Sequence, residues 1–502
     1  MKRTVEKMNN FLFTLLAIIA GAILALAFPP FGWFPIAFIS PVILLAIWIR
    51  SGPLQSLWQG WIFGVGFFGI GASWVYISIH SFSNANITLA VSITVLFIFI
   101  LSLFPAIQGF FFSILQKKFS IFASLFIFPA WWVVCEWLRS KLFTGFPWLF
   151  LGYSQISSPL RGFGPILGVY GISLAVAFIS SCLYLLFFHK KVFVKILGVT
   201  IIILLFTVGD ILNIIRWTYP QKESLKVSLV QGNISQRQKW DVDHLLSTLQ
   251  IYRSETEKHW NTDIIVWPEA AIPVYPQQVS LFLKNLDKEA KRHKTALIIG
   301  IPIYKGKIKK TFNGLIVIGE GKGFYLKRHL VPFGEYTPPF FSTIMKYFFD
   351  IPLSDLSPGP QHQIQLLAKN ISFAPLICYE IAYFLEFLGS ISGKKFIVVV
   401  SDDSWFNRSI ALAQQLQIAQ MCALETGRYV LYSTNTGITA IIDPQGKIQQ
   451  SAPQDRQIVL SGKIYPVTGK TPVMKWNYYP VVGIIILFFL IALFMRMFRI
   501  YS

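Results

Sequence analysis

Apolar residues run through this chain in two lengths, long stretches toward its ends and short ones in between. The long stretches fall at 11–28, 35–49, 57–79, 87–115, 119–138, 163–188, 192–215 and 479–497. A helix rising about 1.5 Å per residue needs about 20 residues to cross roughly 30 Å of hydrocarbon, and most of these stretches meet that requirement. The pattern predicts seven membrane-spanning helices, a polar region and an eighth span. Within the polar region, short β-rich runs recur at 227–230, 264–266, 297–300, 315–318, 373–377, 396–400 and 438–442. Polar stretches at 241–259, 279–293 and 411–426 alternate with them and carry their apolar residues at helical spacing. That alternation predicts an α/β domain, with Asp443-Pro444-Gln445-Gly446 as a turn between two strands. The expected organisation is residues 1–218 for spans one to seven, 225–463 for the α/β domain and 479–497 for the last span.

Charge then orients the spans. Lys2, Arg3 and Lys7 precede the first stretch as they would in a signal peptide, yet that stretch ends in Phe28-Pro29-Pro30-Phe31-Gly32-Trp33 without a small-residue cleavage site, so it reads as a retained span. Arg50, Lys117, Lys118, Lys190, Lys191, Lys195, Arg496 and Arg499 fall on the same side as the N-terminus. The opposite loops 29–34 and 80–86 hold no Lys or Arg, and only 139–161 breaks the pattern. Basic loops favour the cytoplasm, which predicts cytoplasmic termini and an extracytoplasmic α/β domain. Apolar residues make up 54% of the chain and the net charge is +21. Because no basic stripe interleaved with aromatics lies on a soluble segment, that charge reads as flanking membrane spans, and nucleic acid is excluded as a partner.

Four cysteines, Cys135, Cys182, Cys378 and Cys422, are widely spaced with no CxxC pair, which argues against a disulfide framework or a metal site. Cys135, Cys182 and Cys422 read as packing residues. Cys378 ends an apolar run in Pro375-Leu376-Ile377-Cys378-Tyr379-Glu380, where a thiol serves either the core or chemistry. Trp267-Pro268-Glu269 places a carboxylate at the end of another run, and Lys327-Arg328-His329-Leu330-Val331-Pro332-Phe333-Gly334-Glu335 supplies a cation and a second carboxylate. A nucleophile, a base and a cation thus each stand at the end of an element. Glu136 and Arg139, three residues apart, would face one another on a helix and read as a structural pair.

These three segments resemble those of the nitrilase superfamily, whose members carry a Glu, Lys and Cys triad on an α-β-β-α sandwich. Seven spans before such a domain and one after it resemble the membrane-bound branch, the apolipoprotein N-acyltransferases. The likeness extends over nearly the whole chain, through Phe146-Pro147-Trp148, Gln231-Gly232-Asn233 with Trp240, and Ser433-Thr434-Asn435 with Gly437. Asp402-Asp403-Ser404-Trp405-Phe406 departs from the family's usual Asn-Asp before the Trp-Phe pair.

The resemblance implies a polytopic α-helical membrane domain of eight transmembrane helices plus an extracytoplasmic α/β nitrilase-like domain, in a bacterial inner membrane. It implies Cys378 as nucleophile, Glu269 as base and Lys327 as the cation that favours the thiolate and holds the oxyanion. Glu335, Tyr379 with its backbone N–H, and Glu380 support them. The reaction implied is ping-pong: an acyl chain leaves the sn-1 position of a phospholipid, phosphatidylethanolamine above all, and passes through a cysteine thioester to the N-terminal amine of a diacylglyceryl-cysteine lipoprotein. No cofactor or metal enters, and the protein acts as a monomer. Trp240, Trp148, Phe340, Phe341, Trp405 and Phe406 are the expected substrate-binding residues, with 336–349 as an apolar lid or arm. A membrane-tethered amidase or hydrolase acting on a small C–N substrate would share the triad. A transporter or scaffold with an inactive enzyme domain predicts paired buried charges along the spans, which are nearly absent.

Overall fold

The computed structural model describes residues 2–82, 86–337 and 356–500. The chain forms two compact units, one of Met1–Tyr76, Asn86–Arg216 and Lys475–Ser502, the other of Ile77–Ala85 and Trp217–Met474.

The first unit is helical. Among the described residues, six helical segments are long and apolar enough to cross a membrane: Asn10–Ala27, Ile87–Lys118, Ile121–Thr144, Pro159–Phe188, Val192–Ile214 and Tyr479–Met497. The stretch expected as one span at 57–79 is instead a pair, Pro53–Gly71 and Val75–Ser81, bent by 57°. Gly69 and Gly71 weaken the helix just before the bend. Ile36–Arg50 has 15 residues and reaches about 22 Å. Small residues set the packing between helices, as a Cβ on Gly66 would lie 2.3 Å from the carbonyl oxygen of Ile18. Glu136 and Arg139 are both buried and hold the irregular segment that follows their helix. Arg139 donates to the carbonyls of Phe146 (3.1 Å) and Trp148, while Glu136 accepts from the Leu151 amide at 2.8 Å. Backbone groups that leave the helical ladder thereby regain partners without water.

In the second unit the strands, in chain order, are β1 (Thr218–Pro220), β2 (Leu225–Gln231), β3 (Ile264–Val266), β4 (Ala296–Lys305), β5 (Lys310–Gly319), β6 (Gly321–Lys322), β7 (Phe324–Leu326) and β8 (Leu366–Ala368). They continue with β9 (Ile371–Ile377), β10 (Ile397–Ser401), β11 (Val430–Thr434), β12 (Ala440–Ile442), β13 (Ile448–Ser451), β14 (Ile458–Ile464) and β15 (Val467–Gly469). Two sheets result, ordered β14-β2-β3-β4-β5-β7 and β13-β12-β11-β10-β9-β8-β6, with β1 and β15 paired separately. The centre of each is parallel, β2-β3-β4 in one and β9-β10-β11 in the other.

Alternation along the strands decides what each sheet buries. Val227, Leu229, Ile264 and Val266 point inward and pack with Ile377, Val398, Val400 and Leu431 of the facing sheet. Val230, Ile265, Leu297 and Ile299 point the other way and meet Leu249, Tyr252 and Leu286 from helices Leu245–Glu257 and Ser280–Arg292. Helix Ala411–Thr426 is buried along nearly its whole length. The layers are those of a nitrilase-like α-β-β-α sandwich, and the C-terminal ends of β3, β9 and β10 carry the residues considered next.

Candidate active site

β3 runs into Trp267, whose indole N–H donates to Thr256 (2.9 Å) and whose ring stacks on Tyr252 at 5.0 Å. This anchor fixes the turn through Pro268 that presents Glu269. Gly300 lies beneath, where a Cβ would come within 2.2 Å of the Pro268 carbonyl oxygen and 2.7 Å of the Glu269 Cα. Glu269 Oε1 accepts from Asn313 Nδ2 at 2.7 Å and from Lys327 Nζ at 3.4 Å, and its Oε2 accepts from the Asp402 amide at 2.9 Å. Lys327 Nζ also donates to Glu335 at 2.9 Å, and Asn313 Nδ2 reaches Glu335 Oε1 at 2.8 Å. One buried ammonium and one amide therefore sit between two carboxylates.

Cys378 follows β9 with φ at +50°, in the left-handed region that a residue with a side chain seldom adopts. Its neighbour Glu380 makes that conformation hold. Glu380 Oε2 accepts from the Ile377 amide (2.8 Å), and Oε1 accepts from the Arg328 amide (2.7 Å), the His329 amide (3.1 Å) and the Tyr325 hydroxyl (2.9 Å). A single buried carboxylate thus ties the cysteine turn of one sheet to the lysine strand of the other.

Residues 20–182 match the family model described as Apolipoprotein N-acyltransferase N-terminal domain, and 226–470 match Carbon-nitrogen hydrolase. An apolipoprotein N-acyltransferase from Coxiella burnetii is 66% identical over 481 residues, covering 95% of this chain and 99% of that one. Another, from Methylococcus capsulatus, is 37% identical over 478 residues, covering 94% of each. The chain belongs to the apolipoprotein N-acyltransferase family. With its apolar helices, that membership makes it a membrane protein. Among solved structures, Nit3 of Saccharomyces cerevisiae, from branch 10 of the nitrilase superfamily, is 20% identical over 53% of this chain and 97% of that one, with a TM-score of 0.38.

The site's electrostatics describe an apolipoprotein N-acyltransferase at rest. Burial pulls the Lys327 ammonium down, but the Glu335 and Glu269 carboxylates more than offset it, so Lys327 stays a cation. Burial, with the Glu269 carboxylate beside it, pushes the Cys378 thiol well above its ordinary range, although Lys327 pulls the other way. The sequence led us to expect Lys327 to favour the thiolate; its pull has that sign but loses to desolvation. The balance of these influences favours the thiol over the thiolate in the resting site. Asp403, buried next to Asp402 and Glu269, is pushed up to about 7, chiefly by burial and against a hydrogen bond from Ser401.

The other expected residues are placed as follows. Tyr379 is half-buried, with its hydroxyl 3.1 Å from that of Tyr383. Trp240 is 54% exposed and Trp405 is 37% exposed, with Phe406 half-buried beside it. The Trp405 carbonyl accepts from the Ser78 hydroxyl at 2.8 Å. Trp148 belongs to the helical unit, buried against Trp74 and Phe146. Phe340, Phe341 and most of the expected 336–349 arm lie outside the described residues. Asn313 and Lys239 were missed from the sequence. Asn313 had one visible signal, a polar side chain between Phe312 and the apolar run Gly314–Gly319.

Proposed function

We propose that this chain transfers an acyl chain from the sn-1 position of a phospholipid, phosphatidylethanolamine foremost, to the N-terminal amine of diacylglyceryl-cysteine on a lipoprotein. The observation that carries this reading is the pair of hydrogen bonds that hold Glu269 and Glu335 on Lys327 beside the strained Cys378 turn. Sγ of Cys378 attacks the ester carbonyl while Glu269 takes the thiol proton. Lys327 and the Tyr379 backbone N–H stabilise the oxyanion, where a preorganised donor contributes about 3 to 4 kcal/mol. The C–O bond breaks, the leaving glycerol oxygen takes the proton from Glu269, and lysophospholipid departs. The lipoprotein amine then attacks the thioester, Glu269 takes its proton, and the C–S bond breaks to release the N-acyl product and restore the thiol. Glu335 and Asn313 keep Lys327 aimed, and Glu380 sets the cysteine turn. Trp240, Trp405 and Phe406 supply apolar surface for the substrates, with Phe340 and Phe341 assigned to the same task; the expected part for Trp148 is dropped, because its ring is buried within the helical unit.

On this reading eight helices cross the membrane, the termini are cytoplasmic, the sandwich is extracytoplasmic and the enzyme works as a monomer. The one-sided distribution of basic loops supports that orientation. The test incubates purified protein with phosphatidylethanolamine bearing a labelled sn-1 chain and follows the intact mass. An acyl adduct on Cys378 that a diacylglyceryl peptide discharges is expected. No adduct, or one that persists in Cys378→Ala, overturns the mechanism. Turnover of small amides without any adduct from phospholipid would instead mark a hydrolase.

A further inference from the structure

Asp403 is a buried carboxyl that the reaction above does not use, and one hydroxyl ties it to the nucleophile. Strands β9 and β10 run parallel with Ile377 beside Val400, so the next residues of each, Cys378 and Ser401, stand together where the two strands end. Ser401 is closed to water, and its Oγ hydrogen-bonds Asp403 Oδ1. To reach back to it, Asp403 takes φ +57°, in the left-handed region. Gly437 leaves the room, since a Cβ there would lie 2.2 Å from Asp403 Oδ2. That oxygen has no partner among the described residues.

Ser401 acts on the sulfur as well. Burial and the Glu269 carboxylate raise the Cys378 thiol, while Lys327 and a hydrogen bond from Ser401 pull the other way. A hydroxyl has one hydrogen to give, and two acceptors here compete for it. An ionised Asp403 can only accept, and it takes the Ser401 hydrogen. A protonated Asp403 donates to Ser401 Oγ instead, which frees the hydroxyl hydrogen for the sulfur. The surroundings favour the protonated form, because a buried carboxylate with one oxygen unmet is costly. Burial above all, with the Asp402 and Glu269 carboxylates nearby, brings Asp403 up to about 7. The charged and titratable groups around it are Asp402, Glu269, Cys378 and Tyr432, with Lys239 paired to Asp402 at 3.0 Å and Lys327 to Glu269 at 3.4 Å.

We propose that Ser401 is a further catalytic residue, which donates its hydroxyl hydrogen bond to the Cys378 thiolate, and that Asp403 is a positioning residue whose protonated carboxyl turns that hydroxyl toward the sulfur. The inference rests on Cys378 acting as the nucleophile. No proton changes hands in this part of the site: the thiol proton still goes to Glu269, and Ser401 and Asp403 keep theirs. Negative charge gathers on the sulfur twice in the reaction, as the thiol ionises for attack and as the C–S bond breaks. Both times it meets a hydrogen-bond donor in addition to the Lys327 cation.

The cost of removing the hydroxyl, followed against pH, tests it. Full-length protein in phospholipid nanodiscs is acylated in single turnovers by a phospholipid with a fluorescent sn-1 chain, from about pH 5.5 to about pH 8.5, across the ionisation of Asp403. Unfolding temperatures are recorded alongside. Dividing the rate of the unaltered protein by that of Ser401→Ala at each pH cancels the titrations that the two share. Ser401→Ala is expected to slow acylation about tenfold or more at the acid end, as loss of a hydrogen bond to a charged group does. At the alkaline end it should cost less than about threefold, because the Asp403 carboxylate has already claimed the hydroxyl. In an Asp403→Asn background the amide donates at every pH and suits the left-handed backbone, so the cost of Ser401→Ala should stay at about tenfold throughout. A cost that is small at every pH removes Ser401 from the chemistry. One that does not change with pH in the unaltered background, or that fades at the alkaline end in the Asp403→Asn background too, overturns the part given to Asp403. A slowing that only follows a loss of unfolding temperature overturns both. An unaltered protein that forms no adduct defeats the underlying mechanism; a normal adduct with a pH-independent cost defeats the present inference alone.

Discussion

Lys327 places one positive charge between the Glu269 and Glu335 carboxylates, with all three side chains nearly closed to water. Lys327→Met leaves two carboxylates facing each other with Asn313 as the shared donor. Breaking a buried pair costs about 3 to 5 kcal/mol of stability, and losing an oxyanion donor costs about 100-fold or more in rate. Thermal unfolding and single-turnover acylation measure the two, and a variant acylating at a tenth of the normal rate would remove Lys327 from the chemistry. Asp403 gives a pH signature with a definite sign. Its carboxyl is raised in the fold from 3.8 to about 7. Between those values the native chain holds a proton that the unfolded chain has lost, so stability falls as pH rises from about 4 to about 7, by at most about 1.4 kcal/mol per pH unit. Asp403→Asn should flatten that slope in unfolding measurements, and an unchanged slope would show that Asp403 is ionised throughout. Glu269, Lys327 and Cys378 were legible in the sequence because each follows an apolar run, where a strand end presents a side chain. Asn313 and Lys239 were not, since a lone amide in a strand or a lysine in a four-residue helix acquires meaning only from neighbours far away in sequence.

Strands and turns hold the same site by close approach. Gly300 on β4 passes directly under the turn that carries Glu269. Gly300→Ala forces that turn outward and is expected to cost about 1 to 3 kcal/mol, as overpacking does, together with most of the acylation rate. Normal activity in this variant would mean that the turn tolerates displacement. The parallel cores of both sheets were readable from short β-branched runs bounded by polar helices. β6, β7 and β8 were not, because Gly321–Lys322, Phe324–Leu326 and Leu366–Ala368 hold no β-branched residue of the kind that marks β3. The stretch at 57–79 looked continuous in hydropathy, and its break is a backbone event that apolar composition does not register.

For the molecule as a whole, orientation is the prediction that reaches furthest. A cysteine introduced at Lys288 should react with a membrane-impermeant thiol reagent applied from outside the cytoplasmic membrane, and one introduced at Lys190 only after that membrane is opened. The reverse labelling would invert the proposed topology. The proposed reacting groups are also shared between the two sheets, Glu269 and Lys327 at strand ends of one, Cys378 at a strand end of the other. A slip of a few ångströms between the layers parts sulfur from base while every strand keeps its own ladder. On the proposed mechanism, a copy whose layers have slipped would lose its chemistry, hydrolysis of lipid included, before it lost its secondary structure.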